Sequence, residues 1–250
     1  MNSLLRFKNK TNNPDYFPYF CQKRTQVGSK NKLKRFNENN TFHNVFQPKR
    51  EDLVDVVYPL KGQWNQQFFK NSNPLVLELG CGKGEYTVGL AQRYPNKNFI
   101  GIDIKGARFW RGAKTAIENK LPNVAFIRTQ IELIEQLFAA NEVDEIWITF
   151  PDPQIKYKRT KHRMTNDAFL KRYKNILNSS GIVHLKTDSE FMHGYTLGLL
   201  HGQGHEVQYA NHDVYRQEGS PEEVTGIQTF YENQYLATQK AITYIRFKIN

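Results

Sequence analysis

The chain has 250 residues, 35 Lys and Arg against 24 Asp and Glu for a net charge of +11, and 39% hydrophobic residues, the profile of one soluble domain with added segments. Its apolar runs are strand-length pieces such as EIWITF at 145–150, far short of the roughly 18 apolar residues of a membrane-spanning helix, so an integral membrane protein is excluded. Cys21 and Cys81 form no CxxC pair and no Cys/His cluster, which excludes a disulfide scaffold and a structural zinc site and makes a reducing, cytoplasmic setting the default.

Residues 1–45 are rich in Asn, Lys and Phe without a helical or strand period, and are expected to be a flexible basic arm, with FHNVFQP (42–48) as a docking segment. The first 50 residues hold eleven basic and two acidic side chains. The arm either meets a polyanion or is a solvated terminus, and its acid-poor composition also resembles an organellar transit peptide. From residue 46 to 250 one α/β domain is expected. Its elements are strand 75–79, helix 84–94, strand 98–102, helix 106–118, strand 124–128, helix 131–139 and strand 145–150. Helix 166–177, strand 181–186, helix 189–200, strand 205–209 and a late, partly exposed strand 241–249 follow. This alternation predicts an open, doubly wound sheet, mostly parallel, with helices on both faces.

Chemistry is expected at the carboxyl ends of the strands. LELGCGKGEY (77–86) places Gly80, Gly82 and Gly84 in a tight turn between the first strand and its helix, and Asp103 ends the next strand, where it could accept both ribose hydroxyls. A dinucleotide site expects G-x-G-x-x-G, but the third glycine of that pattern would fall at Glu85. Glu78 beside the loop would repel a pyrophosphate and suits a cationic cofactor, the ammonium and sulfonium of S-adenosylmethionine, better than NAD(P). Gln130 follows the third strand, either reading an adenine or capping the next helix.

The fourth strand runs into TFPDPQIKYKRTKHRMT (149–165), where Pro151 and Pro153 stiffen the chain around Asp152 and hold its carboxylate at the sheet edge. A ring nitrogen with a free lone pair, such as guanine N(7), has no proton to lose, so its methylation needs orientation rather than a general base. A nearby carboxylate would stabilise the cationic product. The segment 154–174 carries eight basic side chains against Asp167 alone, and would hold RNA phosphates with Lys156 nearest the target; Tyr157 and His162 offer rings for stacking. Asp188 in HLKTDSE is a helix cap, a ligand contact, or both. Thr229 and Glu232 in TFYE have capping-box spacing. No metal site is expected: His201 and His205 sit in the glycine-containing HGQGH with no third ligand.

In this order, LELGCGKGEYTVGLA, FIGIDIKG, FPDPQIKYKRTKHR, LKTDSE and TFYE resemble the tRNA (guanine-N(7)-)-methyltransferases, over about residues 27–249. The resemblance implies a seven-stranded Rossmann-like methyltransferase fold that methylates the variable-loop guanosine of tRNA, position 46 in the usual tRNA numbering. It implies cofactor binding by Glu78, Gly80, Gly82, Asp103, Gln130 and Asp152, a catalytic role for Asp152, and substrate binding by Lys156, Asp188 and the segment Thr229, Phe230, Tyr231 and Glu232. The chain has Gln154, Gln130 and Asp103 where the family often has Trp, Asp and Glu. The partner implied is tRNA, with no membrane and no required protein partner. A non-catalytic RNA-binding protein and an NAD(P)-dependent oxidoreductase are the competing functions.

Overall fold

The fold is given by a computed structural model that describes residues 29–54 and 56–250. Its strands are β1 (Val45–Phe46), β2 (Leu75–Leu79), β3 (Asn98–Ile102), β4 (Val124–Ile127), β5 (Val143–Thr149), β6 (Leu177–Thr187), β7 (Glu206–Asn211) and β8 (Thr243–Lys248). They form one eight-stranded sheet in the order β1-β4-β3-β2-β5-β6-β8-β7. Pairing is parallel from β1 through β6, and β8 runs antiparallel to β6 and β7. The α-helices are α1 (Ser29–Asn39), α2 (Arg50–Val54), α3 (Glu85–Arg93), α4 (Gly106–Glu118), α5 (Ile134–Leu137), α6 (Asp167–Ile176), α7 (Glu190–Gly202), α8 (Glu222–Thr225) and α9 (Phe230–Ala237).

Strand side chains alternate between faces, so β2 feeds two cores. Leu75, Leu77 and Leu79 join the core closed by α5, α6 and α7, while Val76 joins the core closed by α3 and α4. Glu78 shares the parity of Val76 and therefore lies on the α3 side. The chain leaves β2 through β3 and β4 on one side and resumes at β5 and β6 on the other, so the order reverses between β2 and β5. A ligand crevice is expected outside the carboxyl ends of those strands. There Leu79 pairs with Ile148, and Thr149 pairs with Lys186 of β6.

Three sequence expectations are corrected. Residues 29–45 are not an unstructured arm: they hold α1 and lead into β1, which pairs with β4 at Val45–Phe126 and Phe46–Ile127. That pairing comes from the FHNVFQP segment and makes the eighth strand beside the seven implied. The predicted helix 131–139 shortens to a 3-10 turn, Ile131–Leu133, followed by α5, because Phe138 turns extended and stacks its ring on Trp64 at 5.7 Å. The predicted strand 181–186 begins at Leu177, since NSSG forms an irregularity within β6 rather than a loop before it. The last strand lies inside the sheet: Ile245 and Phe247 pack into one core and Tyr244 into the other, all at 0% exposure, while Arg246 and Lys248 are half-buried, the partial exposure the sequence predicts. Residues 1–28 lie outside the described residues.

Candidate active site

After β2 the chain turns through Gly80, Gly82 and Gly84 at φ +75°, +55° and +73°. Side chains with a Cβ avoid this left-handed region, which is why glycine recurs at these positions. At Gly84 space decides as well, since a Cβ would lie 2.6 Å from the Phe126 ring. The amides of Gly80 and Cys81 donate to the Ile102 carbonyl at 2.8 and 3.1 Å, fastening the loop to β3.

Gly84 caps α3 without a side chain to offer, and Glu78 supplies what is missing. Its Oε2 accepts from the Thr87 amide at 2.8 Å and from the Thr87 hydroxyl; its Oε1 accepts from Thr149 Oγ1 at 2.6 Å. Glu78 as a whole is 3% exposed. Burial pushes its pKa up to about 7, against the opposing pull of the Thr149 and Thr87 hydrogen bonds. All three donors are neutral. Asp103 is 8% exposed and binds the loop from the other side: Oδ2 accepts from the Gly82 amide at 3.0 Å and Oδ1 from the Lys105 amide at 2.7 Å. Each oxygen keeps a lone pair for a ligand hydroxyl.

A cleft of about 220 Å³ opens beyond the ends of β3 and β4, lined by Arg50, Ile104, Thr129, Gln130 and Leu133 among others. Gln130 precedes the 3-10 turn, yet its side chain makes no capping bond. It lines the cleft, and its Oε1 accepts from Arg50 at 2.9 Å. Sequence reasoning missed Arg50, whose relation to Gln130 arises only when α2 and β4 meet in space.

The Asp152 loop is held at several points. The Phe150 amide donates to the Lys186 carbonyl at 2.8 Å, Pro151 is buried, and exposed Asp152 accepts from the Gln154 amide at 3.1 Å. Phe150 and Gln154 both adopt φ +48°, which is strained for residues with side chains. Arg163 pins the far side, donating to the carbonyls of Gln154 and Ile155 at 3.2 Å each, with its guanidinium 4.8 and 4.4 Å from the ring centroids of Phe191 and Tyr195.

The predicted basic cluster therefore divides. Arg163 is buried, Lys171 pairs with Asp167 at 2.8 Å and Arg172 with Glu135 at 2.6 Å, so the charges of these three are engaged within the chain. Lys156, Lys158, Arg159 and Lys161 are exposed on the turn around Tyr157–His162 and Lys174 is exposed on α6, all in no ion pair among the described residues, and Tyr157 is 92% exposed.

Asp188 is not the cap of α7. Ser189 is, accepting from the Met192 amide at 3.2 Å, and Asp188 pairs instead with Lys240. Thr229 and Glu232 close a reciprocal capping box at the start of α9, with bonds of 3.2 and 3.3 Å. The segment they bracket is divided. Phe230 and Tyr231 are 48% and 46% exposed, and the Lys83 ammonium of the glycine loop sits 3.6 Å from the Phe230 ring centroid. Glu232, expected to face substrate, is 0% exposed: its carboxylate takes the Lys186 ammonium at 2.6 Å and the Tyr215 hydroxyl at 2.8 Å. Lys186 also donates to the Val224 and Ile227 carbonyls at 2.5 and 3.1 Å, tying the chain around α8 and α9 to the end of β6. A lone lysine closing an apolar strand was the one signal of this tie.

A family model described as "Putative methyltransferase" matches residues 72–245. The tRNA (guanine-N(7)-)-methyltransferase of Christiangramia forsetii is 75% identical over 223 residues, covering 89% of this chain and 100% of the relative. The chain belongs to the tRNA (guanine-N(7)-)-methyltransferase family. A member from Bacteroides fragilis is 48% identical, covering 87% of this chain and 85% of its own length. Among solved structures, an antibiotic-related methyltransferase superposes with a TM-score of 0.56 at 18% identity over 76% of this chain and 94% of that one. The 16S rRNA methyltransferase KamB gives 0.57 at 14% identity over 74% and 92%. These two show the class I methyltransferase fold, with the crevice described above at its switch point.

Proposed function

We infer that the chain transfers a methyl group from S-adenosylmethionine to N(7) of a guanosine in tRNA, and that this guanosine lies in the variable loop. The observation that carries the cofactor is Glu78: a buried carboxyl group at the switch point, held by neutral donors and in no ion pair among the described residues. A cationic ligand provides the counter-charge that burial leaves missing. The glycine loop, the two open lone pairs of Asp103 and the cleft beside Ile104 and Gln130 fit the amino-acid end, the ribose and the adenine respectively.

When bound, S-adenosylmethionine supplies an electrophilic methyl group on sulfonium. The chain's own part is orientation and charge. Asp152 stands on a pinned loop one strand away from the glycine turn, where it orients the guanine edge and stabilises the positive charge that develops on the purine. No group needs to remove a proton. Lys156 and its neighbours hold the phosphates around the target, and Tyr157 offers a ring to an unstacked base. Phe230 and Tyr231, steadied by the capping box of Thr229 and Glu232, form the opposite wall with Lys83. Asp188 contributes from the end of β6.

Labelled S-adenosylmethionine and unmodified tRNA transcripts test this directly. Strand scission at N(7)-methylguanosine should give a single cut in the variable loop, and Asp152→Ala should reduce incorporation by two orders of magnitude or more, on the order of known losses of electrostatic stabilisation. A cut elsewhere would refute the variable-loop target, and full activity of the variant would refute the role of Asp152.

A further inference from the structure

We propose that the outward sides of α1 and the start of α4 form a second RNA-binding surface, gripping the tRNA backbone away from the guanosine delivered to Asp152. The proposal rests on the reading of the chain as a tRNA enzyme and adds a contact that the reacting site does not require.

Helix α1, SKNKLKRFNEN, has no apolar stripe, and Leu33 is 65% exposed. A helix of that kind is not held by core burial. Polar contacts fasten it to α4 instead. Asn39 donates to the Gly106 carbonyl at 3.0 Å, and Glu38 accepts from Trp110 Nε1 at 2.8 Å and from Lys114 at 3.2 Å. The Arg35 guanidinium lies 4.8 Å from the Trp110 ring centroid, and Arg128 lies 4.4 Å from that of Phe36. Ordering so polar a helix requires many specific contacts, and the result is a fixed carrier of charge.

Its exposed cations are Lys32, Lys34 and Arg35; beside it Lys105, just before α4, and Arg108 and Arg111, three apart in the first turns of α4, are exposed. Positions three apart share a helix face. None of the six is in an ion pair among the described residues, and Glu38, the one acid on α1, is taken by Lys114. Clustered like charges repel one another unless an anion spans them, and a polyphosphate backbone does so with release of its counterions.

Position supports the same occupant. Helix α4 begins just after Asp103 at the end of β3, the basic loop begins just after β5, and β2 lies between those strands. The two cationic surfaces thus flank the crevice, arranged for one polyanion that crosses it.

The test compares two double charge reversals that change net charge equally: Lys34→Glu with Arg108→Glu on the ridge, and Lys70→Glu with Lys120→Glu, which precede β2 and β4 at the opposite edge of the sheet. Binding of a fluorescent tRNA transcript is followed by anisotropy, without cofactor, across a salt series. The ridge pair should weaken binding about tenfold or more and reduce the salt slope by about 2, while the control pair changes affinity less than about threefold. If the ridge pair unfolds, Lys34→Gln with Arg108→Gln replaces it. Equal behaviour of ridge and control overturns the proposal even when the wild type methylates tRNA. Ridge-dependent binding without any methyl transfer would leave the ridge standing and sink the enzymatic reading.

Discussion

On the proposed function, a single side chain, Glu78, couples cofactor binding to acidity. Burial leaves it about half protonated near pH 7, and only the carboxylate form attracts a cation. Binding of S-adenosylmethionine should therefore expel a proton: affinity climbs with pH below 7, by at most about tenfold per unit, and levels off above it. Titration calorimetry in buffers of different ionisation enthalpy counts the released proton directly. Glu78→Gln should bind more weakly and lose the pH dependence between pH 6 and 8; a wild-type affinity that is flat over that range would contradict the assignment.

Between elements, the decisive tie is Lys186 to Glu232, from the end of β6 to the first turn of α9, with both side chains at 0% exposure. Lys186→Met strands a buried carboxylate, which costs about 3–5 kcal/mol. Adding Glu232→Gln removes the stranded charge and should recover most of that loss in urea denaturation. Equal instability of the single and double variants would show that something other than this charge pair holds α9 to the sheet. Elements of this kind mark the limit of what the sequence makes legible. The glycine turn, Glu78, Asp103 and the Pro-Asp-Pro loop were readable because each is a short run whose spacing alone states its geometry. The strands β2 and β3 and helix α4 were readable from periodicity. Lys186 with Glu232 and Arg50 with Gln130 were not, because each joins distant segments, and Arg163 under its loop was not, because it looks like one more charge of a basic run in the chain. Helix α1 escaped for the converse reason: polar contacts hold it, so no apolar period announces it.

At the scale of the molecule, charge is sorted rather than spread. Arg163, Lys171 and Arg172 engage other groups of the chain, while Lys156, Lys158, Arg159 and Lys161 are exposed and in no ion pair among the described residues. Affinity for tRNA should fall steeply with salt, and reversing Lys156, Lys158 and Arg159 together should weaken different tRNAs alike and lower the slope by about 3. Filter binding at several ionic strengths checks this, and a flat dependence would contradict a phosphate-gripping loop. The sheet itself carries a consequence for biosynthesis. Strand β8 lies between β6 and β7, so β7 leaves the ribosome before the strand that will join it to the rest. Until β8 is delivered, β6 has an open edge and β7 has no place in the sheet; the sheet closes only when β8 enters between them, by a non-local pairing of the slow kind.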